Sequence, residues 1–587
     1  MTLPMPSTTT PNHASWVGLP RIKGSSESLQ MALLTTSMIG LDFCWGTEMT
    51  YATPYLLSLG LSKSRLSLVW IAGPLSGLVM QPVIGMVSDK STLRWGRRRP
   101  FMVVGTVMVV VCLLVLGWTQ EVVGLFGLER ESRRKAAIAV AVVDIYVLDF
   151  VINIAQSTCR ALVVDALPIE KQQLGSAWVS RMSGVGKLLM YGLGALDLKA
   201  LTGNFLGDSQ FKKVCLIAAI AMAVAQGTTC WAVSERVYVA NTYVSQLWRK
   251  VDHELTEDHS KGGGNSESML QIVRQIFTTT LHAPERINAI CMVQFWAWIG
   301  WFPFLFYGST WVGEIYLRHE APNATGDALT NVGRIGSTAF IVFAIICFAA
   351  SIVLPWLVQS PDEDNGYTPR PPENLHTVLS TLKKSKPTLL TAWMLANLIF
   401  AASMIFAPFV RSVGFATVVI ALCGIPYAVG NWAPGTFLGV EVNKMSSTLP
   451  LANSMNGGTY RRLSNDSIEM NTPPSPHSSQ RSSPRTLHLR HASNASIVDN
   501  TSTGELSGIY LGILNIYTTL PQFVGTAISW VVFSILEPGK SPELATEAPV
   551  EEHHGTDGVS GIAVCLFIGA ISALVAAWAT RWLKLAG

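Results

Sequence analysis

The sequence predicts an all-α polytopic membrane protein with twelve transmembrane helices in two halves of six. Three observations carry that prediction. Of the 587 residues, 49% are apolar and only 14% are charged, against about a quarter charged in an ordinary soluble chain. The mean hydropathy is +0.35. The charges gather in short stretches between apolar runs long enough to cross a bilayer, which takes about 20 residues. A soluble enzyme and a nucleic-acid-binding protein are excluded, because both need a charged surface. The lipid bilayer is an expected partner and nucleic acid is not.

Apolar windows fall near 31–58, 66–88, 99–120, 137–163, 174–197 and 213–233, then near 285–312, 329–357, 387–409, 412–440, 506–536 and 559–583. The expected organisation is a cytosolic tail over 1–30 and a six-helix half over 31–233. A central cytosolic loop follows over 234–284, then a second half over 285–583. The tail is rich in Ser, Thr and Pro without an apolar core, which is not the pattern of a signal peptide. Residues 443–505 are dense in Ser, Pro, Asn and Thr and lack apolar periodicity, which predicts a disordered loop. Arg461-Arg462-Leu463-Ser464 and three Ser/Thr-Pro pairs in that loop fit protein kinases as partners, or an inert spacer.

With the N-terminus inside, the inner segments carry 25 Lys and Arg and the outer loops 12. The positive-inside rule then places both termini in the cytoplasm. Asn323-Ala324-Thr325, an acceptor triplet for glycosylation, falls outside in that arrangement. The nine cysteines lie in or at the ends of apolar runs and are read as reduced packing residues. The acidic segment 537–558, with His553-His554, reads as a solvated outer loop rather than a metal site.

An ionisable group inside a span is costly and therefore a functional candidate. In the fourth window Asp149, Asn153, Gln156 and Arg160 fall on one helical stripe. Asp149 and Arg160 are separated by about 16 Å along the axis, so they leave room between them for a polar ligand or water. A carboxyl at mid-span can take a proton from one side and release it on the other. The alternative is a polar stripe that packs on a neighbouring helix. Asp42 and Glu48 lie in the first window, on different faces; Glu48 is the deeper and could line a cavity or partner a neighbouring helix. Arg181, Lys187 and Arg334 are candidate partners for these carboxylates or for lipid phosphates, and Asp144 reads as structural. Trp70, Trp301 and Trp311, among other tryptophans, could stack on sugar rings or serve as anchors. No nucleophile elbow, phosphate loop, HExxH or paired CxxC is present, so no enzyme and no cofactor is expected.

Six spans, a hydrophilic break and six more match the plan of the major facilitator superfamily. The motifs within it resemble the sucrose transporters of plants and the α-glucoside permeases of fungi, among the glycoside–pentoside–hexuronide cation symporters. The resemblance is carried by Thr53-Pro54-Tyr55, the stretch from Trp70 to Gly77, Gln81-Pro82, Ser88-Asp89 and Gly96-Arg97-Arg98-Arg99-Pro100. It continues through Leu148-Asp149, Gln156, Cys159-Arg160-Ala161-Leu162, Asp165, Trp301-Phe302-Pro303-Phe304, Gly424-Ile425-Pro426 and the stretch from Leu511 to Asn515. It implies a major facilitator fold and a proton-coupled symporter importing sucrose or other α-glucosides such as maltose by alternating access. The proton is then the coupling ion and a disaccharide the substrate. Asp149 would carry the proton, and Asp149, Arg160, Asn153, Gln156 and Glu48 would bind sugar. The loop after the second span, with Asp89, Arg97, Arg98, Arg99 and Asp165, would form an inner gate.

Two departures bear on substrate. Plant members carry two aspartates after the Phe-Pro-Phe motif, where this chain has none, and Glu48 stands where they have glutamine. The serine-rich insert and the stretch from Gly308 to Glu314 look more like fungal members. The alternatives are a cation-coupled carrier for another small glycoside or a monosaccharide, or a non-transporting sugar sensor. The plasma membrane is the expected location, ahead of the vacuole.

Overall fold

In the computed structural model, the described residues are 15–17, 20–89, 91, 93, 95–127, 129–168, 171–205, 207–235, 237–239, 284–321, 327–359, 386–448, 503–545, 552–553 and 558–585. Twelve helical segments follow one another in the order the hydropathy predicts. The first, α1 (27–58), is composite: Glu27–Thr35, Ser37–Thr47, a π-turn Glu48–Ala52, and Thr53–Ser58. α2 (63–89) joins Lys63–Val69 to Ala72–Asp89. α3 is Arg99–Gly117, α4 Arg130–Ala166, α5 Gln172–Ala195 and α6 Gln210–Ala232.

In the second half α7, Glu285–Ile315, runs on into a π-turn, Tyr316–Glu320. α8 is Ala328–Leu357 and α9 Leu389–Met404. α10 (413–448) joins Val413–Leu422 to Gly424–Thr448; α11 is Thr503–Leu536 and α12 Gly561–Leu585. Ten of these are long and apolar enough to cross a membrane. The other two are α1, which is broken into shorter segments and carries Asp42 and Glu48, and α5, which carries Arg181 and Lys187.

Helix starts follow the local chemistry. Ser26, Ser209, Asp327, Thr388 and Ser412 each accept a hydrogen bond from a backbone N–H in the first turn that follows. These side chains satisfy donors that the helix itself leaves unpaired. Association in a bilayer depends on close packing, because lipid is as apolar as the helix surface. Gly300 of α7 meets Gly569 of α12 on this principle: a Cβ on Gly300 would stand 2.7 Å from the Gly569 carbonyl oxygen.

The segment boundaries differ from expectation in three places. α1 begins at Glu27, inside the expected tail. Two short strands also precede it: Ser15–Val17 pairs antiparallel with Val237–Val239, and Arg21–Ile22 with Val233–Ser234. The chain before α1 is thus tied to the end of α6. α10 runs to Thr448 and α11 starts at Thr503, so both helices enter the stretch expected as a loop. The remainder of 443–505, most of 234–284 and the Asn323 triplet lie outside the described residues. All nine cysteines are free, and eight are buried.

The beginning of α1 and the end of α12 share one end of the bundle, the terminal end. The turn between α1 and α2 lies at the opposite end.

Candidate functional site

Asp149 and Glu48 are both fully buried, each at 0% exposure. The two carboxyl groups are neighbours, and among the described residues no hydrogen-bond donor reaches any of the four oxygens. Two carboxylates in contact without a cation repel strongly in a low-dielectric interior. The one hydrogen bond open to them runs from carboxyl to carboxyl, and that bond requires a proton. Glu48 opens the π-turn of α1; such a turn inserts an extra residue into the helical repeat, often at functional positions. Beside the pair, Gly73 of α2 leaves space: a Cβ there would come within 4.0 Å of Asp149 Oδ1 and 3.6 Å of Phe306.

A chain of amides extends from this pair. Asn153 donates to Ser76 Oγ at 2.9 Å, and Gln81 donates to Asn153 Oδ1 at 3.3 Å. Asn515 of α11 then donates to Gln81 Oε1 at 3.2 Å, which carries the chain from the first half into the second. Asn153 is 3% exposed, and its amide is occupied by this packing. Its place is to orient Gln81 rather than to face open space. Gln156, one turn further, is half-buried.

Arg160 is exposed, and its charge acts on Asp42 and Tyr427 rather than on Asp149. Asp42 accepts a hydrogen bond from Ser183 and lies 3.7 Å from Lys187 Nζ. Lys187 in turn donates to the Tyr427 hydroxyl at 3.4 Å. A second polar group of residues thus joins α1, α4, α5 and α10. Of the other candidates, Arg334 pairs with Asp197 at 2.9 Å and Arg181 lies over the Trp178 ring. Trp70 and Trp311 are buried in the core, and Trp301 packs on Phe304, Phe400 and Tyr427. These three rings build the bundle and are not free to stack on a sugar.

At the terminal end, Asp165 receives two guanidinium groups. Arg97 binds it through Nε at 3.0 Å and Nη2 at 2.5 Å, and Arg98 through Nε at 2.8 Å. Arg98 also donates to Ser88, and Arg99 to the Cys230 carbonyl at 2.5 Å. The side chain of Asp89 lies outside the described residues. The sequence reading missed Glu235. Its carboxylate accepts the backbone N–H groups of Arg97, Arg98 and Arg99 at 2.9, 2.9 and 2.8 Å. It caps the start of α3, where a negative charge is favoured, and together these contacts tie α2, α3, α4 and the end of α6.

Gly96 lies under that carboxylate with φ +113°, and a Cβ on it would stand 2.7 Å from Glu235 Cδ. Gly96→Ala should therefore destabilise by about 1–3 kcal/mol from backbone strain alone. It should lower the thermal unfolding midpoint in detergent, as should Glu235→Ala. Gly85→Ala, which meets nothing within 4 Å, serves as the neutral control.

In the part of the acidic segment after α11 that is described, two of the carboxylates are enclosed rather than solvated. Glu537 is 2% exposed, and Glu543 is enclosed as well. Burial alone would push the Glu543 carboxyl up, but Arg318 and then Lys63 outweigh it and leave it at about 2. No group of side chains suited to a metal ion occurs among the described residues.

Residues 36–155, which span α1 to most of α4, match the family of MFS/sugar transport proteins. The general alpha-glucoside permease of Schizosaccharomyces pombe is 29% identical over 95% of this chain and 94% of its own length. Sucrose transport protein SUC4 of Arabidopsis thaliana is 30% identical over 52% of this chain and 58% of its own. The chain is a membrane carrier of the major facilitator fold. It resembles the fungal α-glucoside permeases and plant sucrose transporters, and it is not an enzyme. Among solved structures, a POT family transporter superposes on the carrier with a TM-score of 0.52 at 11% identity, covering 95% of this chain and 97% of that one. A point mutant of the nucleoside transporter NupG does so with a TM-score of 0.51 at 12% identity, covering 94% and 99%. These likenesses show the fold alone.

Proposed function

We propose that the carrier is a proton-coupled symporter that imports α-glucosides, sucrose or maltose among them, by alternating access. The observation that carries this reading is the buried carboxyl pair, Asp149 with Glu48, whose oxygens meet no donor and no cation among the described residues. The names of the relatives supply the substrate class. Asp149 takes the proton, and Glu48 shares it. Gln81, Gln156 and Asn515 offer amide groups to sugar hydroxyls, and Arg160 holds a further oxygen. Sugar binding beside the pair and proton binding on it favour the same arrangement, so the two move together.

The excess of Lys and Arg at the terminal end supports a cytoplasmic side for it, and the proposed location is the plasma membrane. Cross-half contacts gather from mid-membrane toward the opposite end: Thr53 donates to the Phe306 carbonyl at 2.9 Å and Ser309 to those of Met49 and Thr50 at 3.3 Å. The arrangement is then one closed to the outside. Uptake of radiolabelled sucrose and maltose into cells making the protein, with and without a protonophore, tests the reading. Saturable uptake abolished by the protonophore is expected; uptake that the protonophore leaves unchanged would refute the coupling.

A further inference from the structure

Five charged side chains meet at the opposite end. Lys63, in the first turn of α2, belongs to the first half; Glu314 and Arg318 of α7, Glu537 and Glu543 belong to the second. Lys63 Nζ lies 2.6 Å from Glu314 Oε1 and 2.9 Å from Glu537 Oε2. Arg318 stands 3.3 Å from Glu537, 2.5 Å from Glu543 and 3.9 Å from Glu314. Ser541 donates to Glu543 at 2.8 Å, and Ser560 to Glu314 at 3.3 Å. The side chains of Lys63, Glu314 and Glu537 are exposed by only 1%, 2% and 3%. The lysine of one half is sealed between two carboxylates of the other.

Such a cluster is a poor choice for permanent stability. Buried ion pairs lose much of their attraction to desolvation, and apolar side chains of similar volume often do as well. It suits a contact that must be broken and remade. Once water enters, separated charges are solvated, and exposed pairs are held only weakly; an apolar seal would expose its whole surface on opening. The partition between halves supports this use. Arg318 and Glu543 stay on the same half as Glu314 and Glu537, so they hold the two carboxylates in place whether or not Lys63 is present. Of the contacts named above, those of Lys63 are the ones that cross.

We propose that Lys63, bridging Glu314 and Glu537, is the gate that seals the path at the end opposite the termini, and that each transport cycle breaks and remakes it. The proposal rests on the alternating-access reading but not on the identity of the sugar or the coupling ion.

The test uses Ser309→Cys as a reporter, because Ser309 sits in the cross-half contact between the two helical bundles. Cells carrying the full chain are treated from outside with a membrane-impermeant maleimide, without sugar, and compared with cells lacking the reporter. Adding Lys63→Gln should raise the labelling rate at least tenfold and reduce net uptake severalfold. Exchanging the charges, Lys63→Glu with Glu314→Lys, should return labelling toward the starting rate. Glu537→Gln, which leaves Glu314 on the lysine, replaces Lys63→Gln if that variant does not reach the surface. Labelling at the same rate with and without the lysine bridge, in protein present at the surface, would overturn the gate. Faster labelling in a protein whose unmutated form moves no sugar would support the gate and refute the symport reading.

Discussion

Asp149→Asn is expected to abolish concentrative uptake while leaving the protein folded and at the surface. The amide keeps the size of the carboxyl and can still share a hydrogen bond with Glu48, so the packing around α4 persists. What is lost is the group that takes up and releases the proton. The ratio of sugar inside to outside should fall to about one even with an inward proton gradient, and uptake should no longer respond to a protonophore. Exchange of labelled for unlabelled sugar, which needs no net proton movement, should survive. Glu48→Gln separates the two carboxyls, because it removes the neighbour and leaves Asp149 able to titrate. Its concentrative uptake should be retained within severalfold, with an altered dependence on external pH. If the Asn variant still concentrates sugar and the Gln variant does not, the roles are reversed.

The second large effect concerns Arg160. It is exposed, lies eleven residues along α4 from Asp149, and acts on Asp42 of its own half and on Tyr427 of the other. A guanidinium is planar and can hold two oxygens at once, whereas an ammonium is a point charge. Arg160→Lys should therefore keep the electrostatic balance with Asp42 and lose the grip on sugar. The sugar concentration for half-maximal uptake should rise more than tenfold, a loss above about 1.4 kcal/mol, while uptake still responds to the proton gradient. Measuring that concentration at two external pH values distinguishes the roles. A near-normal value at both would leave Arg160 as a counter-charge alone.

The helices were legible in the sequence because a bilayer demands long apolar runs, and Asp149 and Arg160 because charge inside such a run is rare. What escaped was the part decided by the meeting of distant segments. Glu48 and Asp149 stand on helices about a hundred residues apart, and a π-turn that no periodicity reveals presents Glu48 to its partner. Lys63 counted only as one positive charge in an outer loop, yet it opens α2 and is buried by carboxylates over 250 residues away. Glu537 and Glu543 sat in a segment whose acidity suggests water; Arg318 and Lys63 make their burial tolerable. Glu235 looked like one polar residue past the end of α6. Three N–H groups at the start of α3 give it its place, and the pairings of Val233–Ser234 with Arg21–Ile22 and of Val237–Val239 with Ser15–Val17 fix the backbone on either side. Asn153 shows the converse: it stands on the stripe with Asp149, but its amide is held by Ser76 and Gln81 of the next helix.

The most direct test of the central claim is to watch proton and sugar together in purified protein. Reconstituted vesicles containing a pH-sensitive dye, with no imposed gradient, are given maltose or sucrose outside. The account predicts acidification of the interior when sugar is added, about one proton for each sugar that enters, and none in the Asp149→Asn variant. Sugar entry with no change in internal pH, or acidification that persists in that variant, would contradict it.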